Sequence, residues 1–139
     1  MAAPPHENEE LRMLYTVSAG DITFFKQQQW TVTNYAVALY VGFVVIATQL
    51  LTKPASGWKV VVLCVLTAAV AIAGLGALSL LQSSIEVRRN RLEAVRNGLS
   101  EAFRAAWTQN KRGDDILLLH RAVVIAGAVI SIWLIGGWA

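Results

Sequence analysis

Cysteine, proline and histidine are scarce in this chain. Its 139 residues include one cysteine, three prolines and two histidines. The lone Cys64 excludes an intrachain disulfide and any multi-cysteine metal site, and its place inside an apolar run suits a small packing residue. The prolines, Pro4, Pro5 and Pro54, all lie outside the apolar runs. No proline therefore interrupts a helix within those runs.

Charge is missing from the middle of three long apolar stretches, at about 31–51, 60–81 and 117–138. Each stretch has roughly 20 residues, which at about 1.5 Å per residue matches a hydrocarbon core of about 30 Å. A soluble protein of this size could not bury three such runs. The pattern predicts an all-α integral membrane protein with three transmembrane helices, in a single domain over 7–139 that follows a disordered segment 1–6.

The sequence also lacks a catalytic signature. It contains no His/Cys/Asp cluster with metal-ligand spacing, no glycine-rich phosphate loop and no nucleophile elbow. Ionisable residues near mid-membrane, on which coupled transporters depend, are missing as well. We therefore expect neither an enzyme nor a cofactor or metal site. For His120 we expect an ordinary interfacial histidine, with a pH sensor as the alternative.

The basic residues are distributed unevenly around the spans. Of the twelve lysines and arginines, only Lys53 and Lys59 lie between the first and second spans. The positive-inside rule then predicts a cytoplasmic N-terminus and long second loop, with the short loop and C-terminus outside. The basic residues after the second span are predicted to contact lipid headgroups or an acidic partner: Arg88, Arg89, Arg91, Arg96, Arg104, Lys111, Arg112 and Arg121.

Two segments on the basic side carry helical apolar stripes. Residues 7–30 are predicted to form a helix continuous with the first span. Residues 83–108 repeat apolar side chains every seven positions, at Ile85, Leu92 and Leu99, which is the spacing of a coiled coil. This second helix either packs against the first or lies on anionic lipid, and its glutamates make nucleic acid the least favoured partner.

Geometry restricts the second of these segments. A straight, perpendicular helix over 83–108 would rise about 37 Å above the membrane, whereas residues 109–115 span at most about 24 Å. The helix therefore breaks at Asn97-Gly98, lies strongly tilted, or meets a third helix that starts above the membrane. We favour the break, since this dipeptide is typical of turns. For Arg121, one turn inside the third span, we expect snorkelling or a pair with Asp114 or Asp115.

The second apolar run is rich in small residues. Ala69, Ala73 and Ala77 recur at four-residue spacing, with Gly74 and Gly76 beside them. Such a face lets helix backbones approach closely in lipid. The pattern predicts helix packing, either within one chain or between copies in a homo-oligomer.

The order of elements over residues 7–107, including the run 24–30 that leads into the first span, resembles the SLATT-type bacterial membrane proteins. The resemblance lies in topology rather than in a specific motif, and the third span has no counterpart in that pattern. It implies a pore-forming effector in the bacterial inner membrane. A short chain with three spans is also similar to phage holins. Two functions therefore stand side by side: a homo-oligomer that forms or gates a pore, and an accessory or scaffold subunit of a larger membrane complex that docks through its cytoplasmic helices.

Overall fold

The computed structural model describes residues 5–50, 57–98 and 113–137, and nearly all of them are helical. The helices are α1 (Pro5–Leu50), α2 (Gly57–Gly98) and α3 (Gly113–Gly136). Each helix is long and apolar enough to cross a membrane. This confirms the prediction of an all-α membrane protein with three transmembrane helices.

The first two helices run well past the predicted spans. α1 begins at Pro5, where the missing backbone N–H costs nothing because the first helical turn has no acceptor for it. The predicted helix over 7–30 and the first span are therefore one element. In the same way, α2 carries the second span and then continues to Gly98. Residues 99–112, which include the rest of the predicted helix 83–108, lie outside the described residues.

The three helices pack on one another in every pairwise combination. Ala36 of α1 and Val124 of α3 both approach Gly74 of α2, so the three backbones share one level there. One core cluster lies around this level and includes Tyr40, Leu78 and Val124. The second cluster lies nearer the ends of α1 and α3, around Ala47, Val60, Leu63 and Ile135.

Unequal helix lengths divide the molecule along its axis. At about 1.5 Å per residue, α1 is about 69 Å long and α3 only about 36 Å. The first part of α1 and the last part of α2 therefore continue together beyond the start of α3. We call residues 12–25 of α1 and 85–98 of α2 the two-helix extension. Ser18, Ile85 and Val95 are buried within it, and Arg88 of α2 contacts Asp21 and Phe25 of α1. The described parts of the two flanking helices therefore pack together.

Candidate functional site

A layer of polar side chains crosses the molecule where the two-helix extension meets the third helix. We call it the junction layer. It draws side chains from all three helices: Gln29 and Trp30 from α1, Ser79 and Gln82 from α2, and His120 and Arg121 from α3. Polar groups in lipid are costly unless they are paired or lie near the membrane surface. The layer is therefore the first place to look for function.

The contact between α1 and α2 in this layer is a side-chain amide pair. Gln29 is buried, and its Nε2 donates a hydrogen bond to Oε1 of Gln82 at 3.4 Å. Two turns further into the extension, Nε of Arg88 donates to Oδ2 of Asp21 at 2.8 Å, and the guanidinium lies 4.4 Å from the centre of the Phe25 ring. Both members of the ion pair are partly exposed, so we assign the pair at most about 1 kcal/mol. Its main effect is to favour one register of α1 on α2.

His120 packs against Trp30 in the contact between α3 and α1. The two rings meet edge to face, with centroids 4.8 Å apart and planes at 73°. His120 is only 1% exposed, and its Nε2 is buried without a hydrogen-bond partner. The buried Thr33 and Thr67 differ from it, since each hydroxyl donates to the carbonyl four residues earlier. In this geometry the imidazole fills space beside Trp30.

Arg121 lies on the other side of α3, facing α2. Its Nη2 donates a hydrogen bond to Oγ of Ser79 at 3.1 Å, and the Ser79 hydroxyl in turn donates to the carbonyl of Leu75 at 2.9 Å. The carboxylate of Asp21 pairs with Arg88, and among the described side chains the contact given for Arg121 is the hydroxyl of Ser79. The side chains of Asp114 and Asp115, the partners considered from sequence, lie outside that description.

Exposed tryptophans mark the depth of the junction layer. Trp30 is 54% exposed, as expected for an indole at the interface between hydrocarbon and headgroups. Trp58, also exposed, lies about 32 Å further along α2 than Ser79 at about 1.5 Å per residue. This separation is close to the thickness of a hydrocarbon core. This spacing predicts that the junction layer lies at one membrane surface and that the two-helix extension lies beyond it.

The small residues of α2 divide between two faces. Gly74 faces inward: a Cβ there would lie 3.6 Å from Cγ1 of Val124 and 4.0 Å from Cβ of Ala36. Ala77 is half-buried. By contrast, Ala69, Ala73 and Gly76 are exposed, and nothing lies within 4 Å of a Cβ built on Gly76. Only these three of the five predicted contact residues face away from the rest of the chain.

The predicted headgroup-contacting arginines have different environments. Arg88 contacts Asp21, Arg91 is exposed, and Arg89 and Arg121 are half-buried. Arg96 lies in the last turns of α2. Arg104, Lys111 and Arg112 lie outside the described residues. Among the described basic residues, Arg121 lies in the junction layer, and Arg88 and Arg91 lie in the two-helix extension.

Sequence reasoning missed the contact between Tyr40 and Gly127. A Cβ on Gly127 would lie 2.8 Å from Cδ2 of Tyr40, so the tyrosine ring rests directly on the backbone of α3. Beside this contact lies an apolar groove of about 260 Å³ between α1 and α3, lined by residues such as Val44 and Leu134. A lone glycine within an apolar run gives no sequence signal for such a contact.

No known protein family, characterised protein or solved structure matches this chain. Within the part of the chain that the structure describes, no group of three or more His, Cys, Asp or Glu side chains could hold a metal ion.

Proposed function

We propose that this protein self-associates in the membrane through the outer face of α2. The observation that carries the proposal is the outward position of Ala69, Ala73 and Gly76, which we call the small-residue face. The exposed Val65 and Leu80 lie at the two ends of this face and form higher walls. Close backbone approach along such a shallow groove is a common way for helices to associate in lipid.

The limited burial of the spans supports self-association. Within the apolar windows of the three helices, only 22% to 28% of the residues are buried inside the chain. A single copy therefore leaves most of its apolar surface for lipid or for neighbouring copies. Lipid tails are as apolar as leucine, so packing rather than hydrophobicity must select a partner. The small-residue face offers that packing.

The activity that we propose for the assembly is a pore or channel in the bacterial inner membrane. The outward side chains in the middle of the spans, such as Val65, Ile72 and Val129, are apolar. A pore lined by them would contain an apolar constriction, and constrictions of this kind close by losing their water. We therefore expect such a pore to open intermittently, when the helices rotate or separate, and to leak ions slowly without any stimulus.

A second candidate function is a scaffold subunit of a larger membrane complex. It is favoured by an apolar stripe on the two-helix extension, where Met13 is 71% exposed and Val17 56% exposed, with exposed Phe24 two turns nearer the membrane. Apolar side chains that remain exposed beyond the membrane surface commonly mark protein contacts. In this reading the extension, which we place in the cytoplasm from the distribution of basic residues, carries the docking surface.

Bulky substitutions on α2 test self-association. Ala73→Leu and Gly76→Leu should shift the size of the detergent-solubilised protein towards that of a 15.1 kDa monomer without unfolding it, because both positions are exposed in one copy. Ala126→Leu is the matched control, since Ala126 is exposed on α3 at a similar depth. If both α2 variants keep the size of the wild type, the small-residue face contacts lipid and the proposed interface is wrong.

Leakage from liposomes separates the two functions. Wild-type protein should release potassium from sealed vesicles, and the monomeric Gly76→Leu variant should release much less. An oligomer that never leaks would contradict the pore and leave the scaffold. Proteins that co-purify with the wild type but not with a Val17→Glu variant of the extension would then support docking there.

A further inference from the structure

We infer that Arg121, positioned by its hydrogen bond to Ser79, binds the phosphate of an anionic phospholipid where α2 and α3 meet at the membrane surface. The inference does not depend on the proposed self-association. Arg121 carries five N–H donors, and among the described side chains one of them has an acceptor: Nη2 donates to Ser79 Oγ at 3.1 Å. The remaining donors need acceptors, and a guanidinium at this depth needs a counter-charge.

The depth of Arg121 matches that of a lipid phosphate. Its neighbour His120 lies edge to face on Trp30, the exposed indole that marks the interface. A long arginine side chain that starts at the edge of the hydrocarbon can extend its guanidinium to the headgroup level. Arginine also matches the geometry of phosphate oxygens better than lysine does, because its planar fork donates two parallel hydrogen bonds.

The surroundings favour a lipid over a soluble phosphate. Ser79 is exposed on the side of α2 that borders α3, so the pair with Arg121 opens outward rather than into a water-filled cavity. Deeper in the membrane, the exposed Ile125 lies one turn below Arg121 and the exposed Ile72 two turns below Ser79. These side chains give acyl chains an apolar surface directly below the donors. A free phosphate would gain nothing from that surface.

The charge of the surrounding side favours an anionic headgroup. Most of the basic residues lie on this side of the membrane, whereas Lys53 and Lys59 alone lie between the first and second spans. Arg88 is neutralised by Asp21, whereas among the described side chains the contact given for Arg121 is the hydroxyl of Ser79. Basic sites between transmembrane helices on the positively charged side are typical binding places for anionic headgroups. Phosphatidylglycerol is therefore the probe of choice, and phosphatidylcholine is its zwitterionic control.

Native mass spectrometry of the intact chain in detergent, with each lipid titrated in turn, tests the site. We expect Arg121→Gln to weaken phosphatidylglycerol binding about tenfold, which corresponds to the loss of one charge-assisted hydrogen bond. Arg121→Lys should fall between Arg121→Gln and the wild type, because it keeps the charge and loses the fork. Ser79→Ala should weaken phosphatidylglycerol binding less than Arg121→Gln does. The matched control is Arg91→Gln, which removes an exposed arginine from the extension and should change little.

Three outcomes would overturn the inference. If Arg121→Gln binds phosphatidylglycerol as tightly as the wild type, the site is wrong. If Arg91→Gln weakens binding equally, the lipid responds to overall charge and not to this site. If inorganic phosphate displaces the lipid at equal concentration, the acyl chains contribute nothing and the ligand is not a lipid. Circular dichroism at 222 nm checks that each variant is folded. If Arg121→Gln does not fold, the comparison of Arg121→Lys with the wild type tests the site instead.

Discussion

At the scale of single residues, the contact between Gly127 and Tyr40 decides how closely α3 approaches α1. The Tyr40 ring is 2% exposed and lies where a side chain at position 127 would begin. The tyrosine hydroxyl is buried without a hydrogen-bond partner. The ring therefore contributes through its shape, by packing onto bare backbone. Any added atom at position 127 must displace it.

We predict that Gly127→Ala destabilises the protein by about 1–3 kcal/mol, as overpacking of a tight contact does. The new methyl would lie 2.8 Å from Cδ2 and 3.0 Å from Cε2 of Tyr40, and the ring would have to move. Thermal unfolding in detergent, followed by circular dichroism, measures the loss.

Gly42→Ala is the control for the substitution at Gly127. It makes the same substitution within α1 where nothing lies within 4 Å. We expect it to be neutral or slightly stabilising, because alanine is the better helix former. Combining Gly127→Ala with Tyr40→Leu should recover part of the loss. A Gly127→Ala protein as stable as the wild type would show that the contact is looser than the structure has it.

At the scale of elements, contacts in the junction layer and in the two-helix extension hold α1 against α2. Arg88 forms an ion pair with Asp21 and a cation–π contact with Phe25. The side-chain amides of Gln29 and Gln82 are hydrogen-bonded, and Ile85 is buried between these two levels. None of these polar contacts is strong by itself. Together they oppose sliding of α1 along α2, because a shift by one turn would break all of them at once.

We predict that cysteines at positions 18 and 92 cross-link, in a protein whose own Cys64 has been replaced by alanine. Extending the pairing of Asp21 with Arg88 and of Gln29 with Gln82 by one turn brings Ser18 opposite Leu92 in antiparallel helices. Ser18 is buried on the facing side of α1. Oxidation followed by gel electrophoresis under non-reducing conditions detects the bridge.

The control for this cross-link is a cysteine at position 17 in place of position 18. Val17 is exposed and faces away from α2, so its pair with position 92 should form little bridge. Efficient bridging from both positions would mean that the helices twist or slide freely. The packed extension described above would then be wrong.

At the scale of the whole molecule, membrane orientation is the property with the clearest test. Because α1 and α2 are long and α3 is short, we expect the two-helix extension to lie on a single side of the membrane. That side also contains most of the lysines and arginines. We predict that it is the cytoplasm, because basic loops are retained there during insertion.

Reporter fusions after residue 139 measure this orientation. Alkaline phosphatase, which is active only outside the cytoplasm, should be active there, and green fluorescent protein, which folds poorly after export, should be dark. Fusions at the N-terminus provide the reciprocal control. A fluorescent C-terminal fusion would reverse the orientation and would place the extension outside the cell.

The three spans followed from the sequence alone. The reason is that burial in lipid requires about 20 apolar residues per helix, and that requirement is visible in any window of the chain. The continuity of the flanking helix with the first span was equally predictable, because no proline lies between residues 6 and 53 to break it. The small residues of the second span were also recognisable as a packing feature.

Only the tertiary structure decided which of those small residues face inward. Gly74 and Gly76 are only two positions apart, yet they lie on nearly opposite sides of α2. Gly74 packs against Val124, whereas Gly76 is exposed. The sequence could not separate them, because a helix in lipid is apolar on every side and carries no polar face to show its orientation. The pairings of Arg88 with Asp21, Arg121 with Ser79 and Tyr40 with Gly127 were hidden for a related reason. Each joins residues far apart in the chain, and only the register of three packed helices brings them together.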